Sequence, residues 1–179
     1  MDIREKTIKT ERIFEGKILK VDYDTVLLPN GKQATREIVR HPGGVGVVAV
    51  DDSDMIYMVK QYRIPYDDIL LEIPAGKLDK NENIDSAAAR ELSEETGLSA
   101  KEWKYIGDFY PSVGFCDENL RLYMASGLVM GDVHPDDDEF LNVVKMPFDE
   151  VAAMCVDGKI KDGKTIAAVL KADYIRKNS

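Results

Sequence analysis

Four glutamates near the middle of the chain have the type and spacing to hold divalent cations: Glu82, then Glu91, Glu94 and Glu95. The stretch from Ile84 to Thr96 is rich in helix formers, among them Ala87, Ala88, Ala89, Arg90 and Leu92, and Gly97 supplies a C-terminal stop. On such a helix positions 91, 94 and 95 stand at i, i+3 and i+4, so their carboxylates share one edge. Like charges at that spacing cost roughly a few tenths of a kcal/mol per pair in an exposed helix. A divalent cation removes the conflict, because carboxylate oxygens suit hard ions such as Mg²⁺ or Mn²⁺, and Mg²⁺ is commonly shared between carboxylates and substrate phosphates. Cations held there would neutralise those phosphates, lower the pKa of a bound water and stabilise a leaving oxygen. Arg90, beside Glu91, is better placed to hold the acidic cluster in shape than to act as an acid. The competing account is a solvated acidic helix face.

The elements that must position this edge follow from the pattern on either side. Ile18 to Leu28 and Thr35 to Val39 read as strands joined at Asn30-Gly31, an N-terminal hairpin. Val45 to Val50 is a strand buried on both faces, Met55 to Val59 pairs with it, and Ile69 to Ile73 is a short strand stopped by Pro74. Ala75 to about Asn83 is a loop. Further strands are expected around Trp103 to Tyr110, Arg121 to Leu128 and Phe140 to Lys145, with helices near Phe148 to Val156 and Lys164 to Arg176. This order makes a mixed α/β domain whose helices cover a largely mixed sheet.

Composition narrows the setting. The 179 residues suit one compact domain, and 44% hydrophobic with 32% charged residues argue against a disordered or membrane-spanning chain. A formal net charge of -9 makes nucleic acid a poor general partner but leaves a small anion accessible where cations offset repulsion. Cys116 and Cys155 have neither metal-site spacing nor the numbers for a disulfide framework, and the start of the chain lacks a signal-peptide core. A reduced, cytoplasmic setting is the expectation.

Taken together, Gly76, Glu82, Arg90, Glu91, Leu92, Glu94, Glu95, Gly97 and Leu98 fill every fixed position of the pattern G-x5-E-x7-R-E-U-x-E-E-x-G-U, with U aliphatic. In this the chain resembles Nudix hydrolases. The resemblance implies an α/β/α sandwich with a mixed sheet, here with an N-terminal β-hairpin extension, and cleavage of a nucleoside diphosphate linked to another group. It makes Glu91 and Glu95 the foremost metal ligands and Glu94 an additional one, with Mg²⁺ or Mn²⁺ as the cofactor, and makes Glu82 the partner of Arg90 or of an outer metal. Glu95 and Arg90 also belong to the candidate catalytic set.

Beyond that box, Arg36 to Gly43, Gln61 to Pro65 and Glu72 to Gly76 resemble the ADP-ribose pyrophosphatase branch. The resemblance implies that Arg36 and Arg63 bind the ligand's phosphates or nucleoside and that the Ala75 carbonyl binds metal; a structural ion pair with Glu37 or Asp67 is the other role open to either arginine. Val113 stands where the branch usually has the proline associated with ADP-ribose specificity. Glu118 matches a substrate-contacting glutamate, and the run Asp136 to Glu139 matches a loop that supplies a catalytic carboxylate, with Glu139 first and Asp138 or Asp136 as alternatives.

The expected reaction is therefore hydrolysis of ADP-ribose to AMP and ribose 5-phosphate. Its rivals are another substrate, such as ADP-glucose or GDP-mannose, and a non-catalytic nucleotide-binding module. The branch further implies a homodimer in which residues 1–40, as N-terminal strands, help build the partner's site, while residues 41–179 form the hydrolase domain; no nucleic acid or membrane partner is expected.

Overall fold

The computed structural model describes residues 2–131 and 140–178. Backbone contacts divide the chain into two units, Met1–Gly43 with Tyr110–Asn119, and Gly44–Phe109 with Leu120–Ser179.

The first unit is built on an antiparallel sheet of β1 (Lys6–Glu15), β2 (Lys20–Leu27) and β3 (Gln33–Arg40), in that order. Gly31, at φ 80°, lies in the turn between β2 and β3, in the left-handed region that glycine enters without a Cβ penalty. Strand β1 lengthens the expected hairpin into three strands. All ten of its residues are exposed, so it has no apolar alternation to announce it and exists through pairing to β2. Two of the buried positions of β2 are acids, Asp22 and Asp24. Asp22 is satisfied by Arg12 and by Arg40, whose Nε lies 2.9 Å from it.

The second unit carries β4 (Gly44–Val50), β5 (Met55–Arg63), β6 (Asp68–Glu72), β7 (Ala75–Lys77), α1 (Ile84–Thr96), β8 (Leu98–Phe109), β9 (Leu120–Met130), β10 (Leu141–Pro147), α2 (Phe148–Val156) and α3 (Gly163–Lys177). Its sheet runs β10-β5-β4-β9-β8, with β6 added to β5 and β7 to β4. It is mixed, because β4 and β9 are parallel while the other pairs are antiparallel.

Strand β4 is wholly buried, as its run of valines predicts. Side chains alternate along a strand, so Val45, Val47 and Ala49 pack with Ala87, Ala88 and Leu92 of α1. Val48 and Val50 join Phe148 and Val151 of α2 and Ala168, Val169 and Ala172 of α3 in a second cluster. Helices thus cover both faces, the expected α/β/α arrangement. No helix among the described residues is long and apolar enough to cross a membrane.

Midway along β4 the neighbouring strand changes. Gly44 to Gly46 pair with β7, whereas Ala49 and Val50 pair with β5, and at the change the Val47 N–H donates to the Pro74 carbonyl at 2.9 Å. Part of the segment expected as loop is therefore strand: Ala75, Gly76 and Lys77 have weak strand preference and are extended because β4 offers them an edge. Strand β8 likewise starts at Leu98, earlier than Trp103, since Gly97 turns the chain directly out of α1.

Candidate functional site

Helix α1 is fixed at both ends by its own sequence. The Asn83 side-chain oxygen accepts from the N–H groups of Asp85 and Ser86 at 2.9 and 3.2 Å, a cap that contributes about 1 kcal/mol. At the other end Gly97 takes a left-handed conformation, φ 69° and ψ 12°, and its N–H reaches the Ser93 carbonyl at 2.8 Å. Tyr123 of β9 donates to Asp85 at 2.7 Å and ties the first turn to the sheet. With length and rotation set, the helix presents Glu91 and Glu95 toward β7, and Glu94 reaches Arg90 beside them.

The three carboxylates do not sit alike. Glu95 is 2% exposed and accepts from the Ala75 N–H at 3.0 Å. Glu91 is 7% exposed, and its carboxyl group lies against Gly76. A Cβ added to Gly76 would fall 2.1 Å from the Glu91 carboxyl carbon, so the missing side chain is what makes room for that carboxylate. Glu94 is more open, with 31% of its side chain exposed.

Arg90 joins this edge to Glu82. Its Nε and Nη2 donate to the two Glu82 oxygens at 2.8 and 2.9 Å, Nη1 reaches Glu94 at 2.8 Å and Glu91 at 2.9 Å, and Nη2 also touches the Lys77 carbonyl at 3.2 Å. The forked bond to Glu82 is the main reason the guanidinium is held more firmly protonated than usual, against the opposing effect of burial. In return Arg90 holds the Glu82 carboxyl below its ordinary range.

Among the described residues no three acidic, histidine or cysteine side chains converge on a preformed cation site. Glu82, Glu91 and Glu94 converge on Arg90 instead. The donor set nevertheless suits a hard divalent cation in its chemistry: the carboxylates of Glu91, Glu94 and Glu95 and the Ala75 carbonyl all offer oxygen donors, and the cradle left by Gly76 seats the Glu91 carboxylate against backbone.

Arg63, at the end of β5, belongs to a second network. Its Nε and Nη2 each donate to an oxygen of Glu72 at 2.7 Å. Glu72 is 2% exposed and also receives Lys164 of α3, which in turn bonds Asp162 at 3.0 Å. Burial pushes the Glu72 carboxyl up, and the bonds from Arg63 and Lys164 outweigh it and hold the group below its ordinary range. The ion pair made by Arg63 is thus with Glu72, and Asp67 bonds Tyr62 at 2.8 Å.

Arg36 and Glu118 lie in the first unit. Arg36 pairs with Glu5, not with Glu37, and donates to the Thr35 carbonyl at 2.8 Å. Glu118 stands 3.5 Å from His41 Nδ1, while its neighbour Asp117 accepts from the His41 N–H at 2.8 Å. Glu139, Asp138 and Asp136 lie outside the described residues. In the sequence Glu72 stands out only as the start of the Glu72 to Gly76 segment, and Lys164 only as part of the helix start Asp162-Gly163-Lys164-Thr165, so neither spacing nor residue type announces their pairing.

A family model described as the NUDIX domain matches residues 40–169. The chain belongs to the Nudix family. A second model, the nucleoside diphosphate sugar hydrolase N-terminal domain, matches residues 5–39 of this Nudix hydrolase. It is 45% identical over 167 residues to a methanol dehydrogenase activator of Bacillus methanolicus, covering 92% of this chain and 90% of that one. It is 43% identical over 169 residues to an ADP-ribose pyrophosphatase of Bacillus subtilis (strain 168), covering 93% and 91%. A crystal structure of an ADP compounds hydrolase superposes with a TM-score of 0.86 over 99% of this chain and 97% of that one; at 18% identity the likeness is one of fold. Nudix hydrolases generally use divalent metal ions, in keeping with the oxygen donors of the α1 edge.

Proposed function

We propose that this Nudix hydrolase cleaves the pyrophosphate bond of ADP-ribose, giving AMP and ribose 5-phosphate. The observation that carries the chemistry is the α1 edge, in which Glu91 and Glu95 are seated against Gly76 and Ala75 while Arg90 gathers Glu82, Glu91 and Glu94. The choice of ADP-ribose is supported by the Bacillus subtilis relative.

Glu91, Glu94, Glu95 and the Ala75 carbonyl would hold Mg²⁺ or Mn²⁺, which when bound supplies neutralisation of the pyrophosphate and activation of water. Arg90 maintains the spacing of the ligand carboxylates. Arg63 and Arg36 bind the anionic ligand, with Glu118 as a further ligand contact. A loop carboxylate accepts the proton of the attacking water; Glu139 is assigned that role, with Asp138 and Asp136 as alternatives. Residues 41–179 are taken as the hydrolase domain and residues 1–40 as strands that join two copies in a homodimer. A cytoplasmic setting is part of the proposal, supported by two cysteines that are both free thiols.

Purified protein incubated with Mg²⁺ and a panel of ADP-ribose, ADP-glucose and GDP-mannose tests this. ADP-ribose is expected to be turned over fastest, and Glu95→Gln to abolish turnover. Preference for another sugar overturns the substrate, and a fully active Glu95→Gln overturns the site. A second reading, a nucleotide-binding module that regulates a partner enzyme, is favoured by the relative named for activating methanol dehydrogenase. It predicts that the unmodified chain binds ADP-ribose yet hydrolyses no member of the panel.

A further inference from the structure

We propose that Lys164 is a positioning residue for Arg63, acting through Glu72. The proposal rests on the reading that Arg63 binds a ligand phosphate. Glu72 sits at the end of β6 with 2% of its side chain exposed, between two cations. On one side Arg63 spends Nε and Nη2 on a two-point fork with both Glu72 oxygens, each at 2.7 Å. Such a fork fixes the plane of the guanidinium as well as its place. Among the described residues the remaining amino group, Nη1, has no hydrogen-bond partner, so one edge of the guanidinium is left to an incoming phosphate oxygen.

On the other side Lys164 bonds Glu72 Oε2 and Asp162, with only 12% of its own side chain exposed. Asp162 caps α3 by accepting the Thr165 N–H at 3.0 Å, and the Thr165 hydroxyl accepts the N–H of Ile73 at 2.9 Å. The start of α3 therefore grips the end of β6 twice, through Ile73 backbone and through the Glu72 carboxylate. Two cations and two carboxylates close the network without net charge, which a buried group of this kind requires. Removing Lys164 leaves Glu72 one cation short and free to turn, and the Arg63 fork turns with it. The cost then falls on ligand binding.

The test uses the full chain and two readouts: steady-state kinetics with ADP-ribose and Mg²⁺, and calorimetric binding of ADP-ribose without divalent cation. Lys164→Met is expected to raise KM and the calorimetric Kd about tenfold while kcat changes less than about twofold, and Lys164→Arg to restore both to within about threefold. Glu72→Gln is expected to match Lys164→Met. The double variant, which retains the balanced pair of Arg63 and Asp162, is expected to exceed neither single by more than about threefold. Additive losses near a hundredfold, or a loss confined to kcat or thermal stability with binding unchanged, overturn the proposal. Lys164→Gln replaces the methionine variant if the latter does not fold. A wild-type chain that binds ADP-ribose without hydrolysing it defeats the hydrolytic reading alone, and the Kd ratios still decide the role of Lys164; a chain that does not bind it defeats both.

Discussion

Replacing Gly76 by alanine separates catalytic geometry from stability. A Cβ there falls 2.1 Å from the Glu91 carboxyl carbon, and ordinary contact begins near 3.4 Å, so the carboxylate must retreat by roughly 1.3 Å. The obstacle is the far end of a side chain, and Gly76 is not among the glycines at positive φ, so neither the backbone nor the sheet need move. Misplacement of a reacting or ligating group by about 1 Å costs on the order of a hundredfold in rate, or about 2.7 kcal/mol of barrier.

Gly76→Ala should therefore lower kcat/KM for ADP-ribose about a hundredfold while its melting midpoint stays within a few degrees of wild type, roughly, because loss of glycine flexibility from the unfolded chain offsets local strain. Gly44→Ala is the contrasting control. Its Cβ meets the backbone carbonyl of Gly76 at 2.5 Å, which cannot rotate aside, and the cost should appear as lost stability. Initial rates at saturating Mg²⁺ and thermal melts of both variants measure the two quantities. Full activity in a well-folded Gly76→Ala chain would refute the claim that Glu91 must occupy this seat.

Arg90→Ala leaves Glu82, Glu91 and Glu94 without their shared cation. With 28% of the arginine side chain exposed, the loss should be about 1–2 kcal/mol in denaturant unfolding. Mg²⁺ should raise the melting midpoint of this variant more than that of wild type, since it relieves the same repulsion; equal gains would count against that account. The Glu82 carboxyl is held below its ordinary 4.5 chiefly by Arg90. Its contribution is complete above that pH and is lost as pH falls through the lowered folded value, so Glu82→Gln should flatten the acid side of the stability profile and leave it unchanged in shape at neutral pH. Asn83→Ala should cost about 1 kcal/mol through loss of the α1 cap, read by denaturant midpoint; no change would show that packing alone starts the helix.

Much of the frame was legible because its signals are local. The valine run of β4, the helix formers between Asn83 and Gly97, and the Asn30-Gly31 turn each state their conformation within a few residues. Strand β1 was not, since its ten residues are all exposed and its conformation depends on the edge of β2. Strand β7 was hidden for the same reason, Ala-Gly-Lys being extended only where β4 receives it. Types and spacing announced the glutamate edge, but neither the seat that Gly76 gives Glu91 nor the reach of Lys164 to Glu72. Those depend on contacts between residues distant in the chain. Arg63 shows the limit most plainly: it stands opposite Asp68 in the strand register, yet its guanidinium extends to Glu72.

Helix α1 is a ruler cut to one length. Its 13 residues lie between a side-chain cap at Asn83 and a left-handed glycine at Gly97, with Tyr123 fastening the first turn. Each residue of an α-helix advances the face by about 100°, so a single insertion between Glu91 and Glu94 moves Glu95 to i+5, roughly 140° around the axis from Glu91, and no rotation of the whole helix restores both to the shared edge. An insertion scan across the chain should find this span intolerant to any change of length. At the turn around Gly31, where an added Cβ meets nothing within 4 Å, extra residues should pass unnoticed.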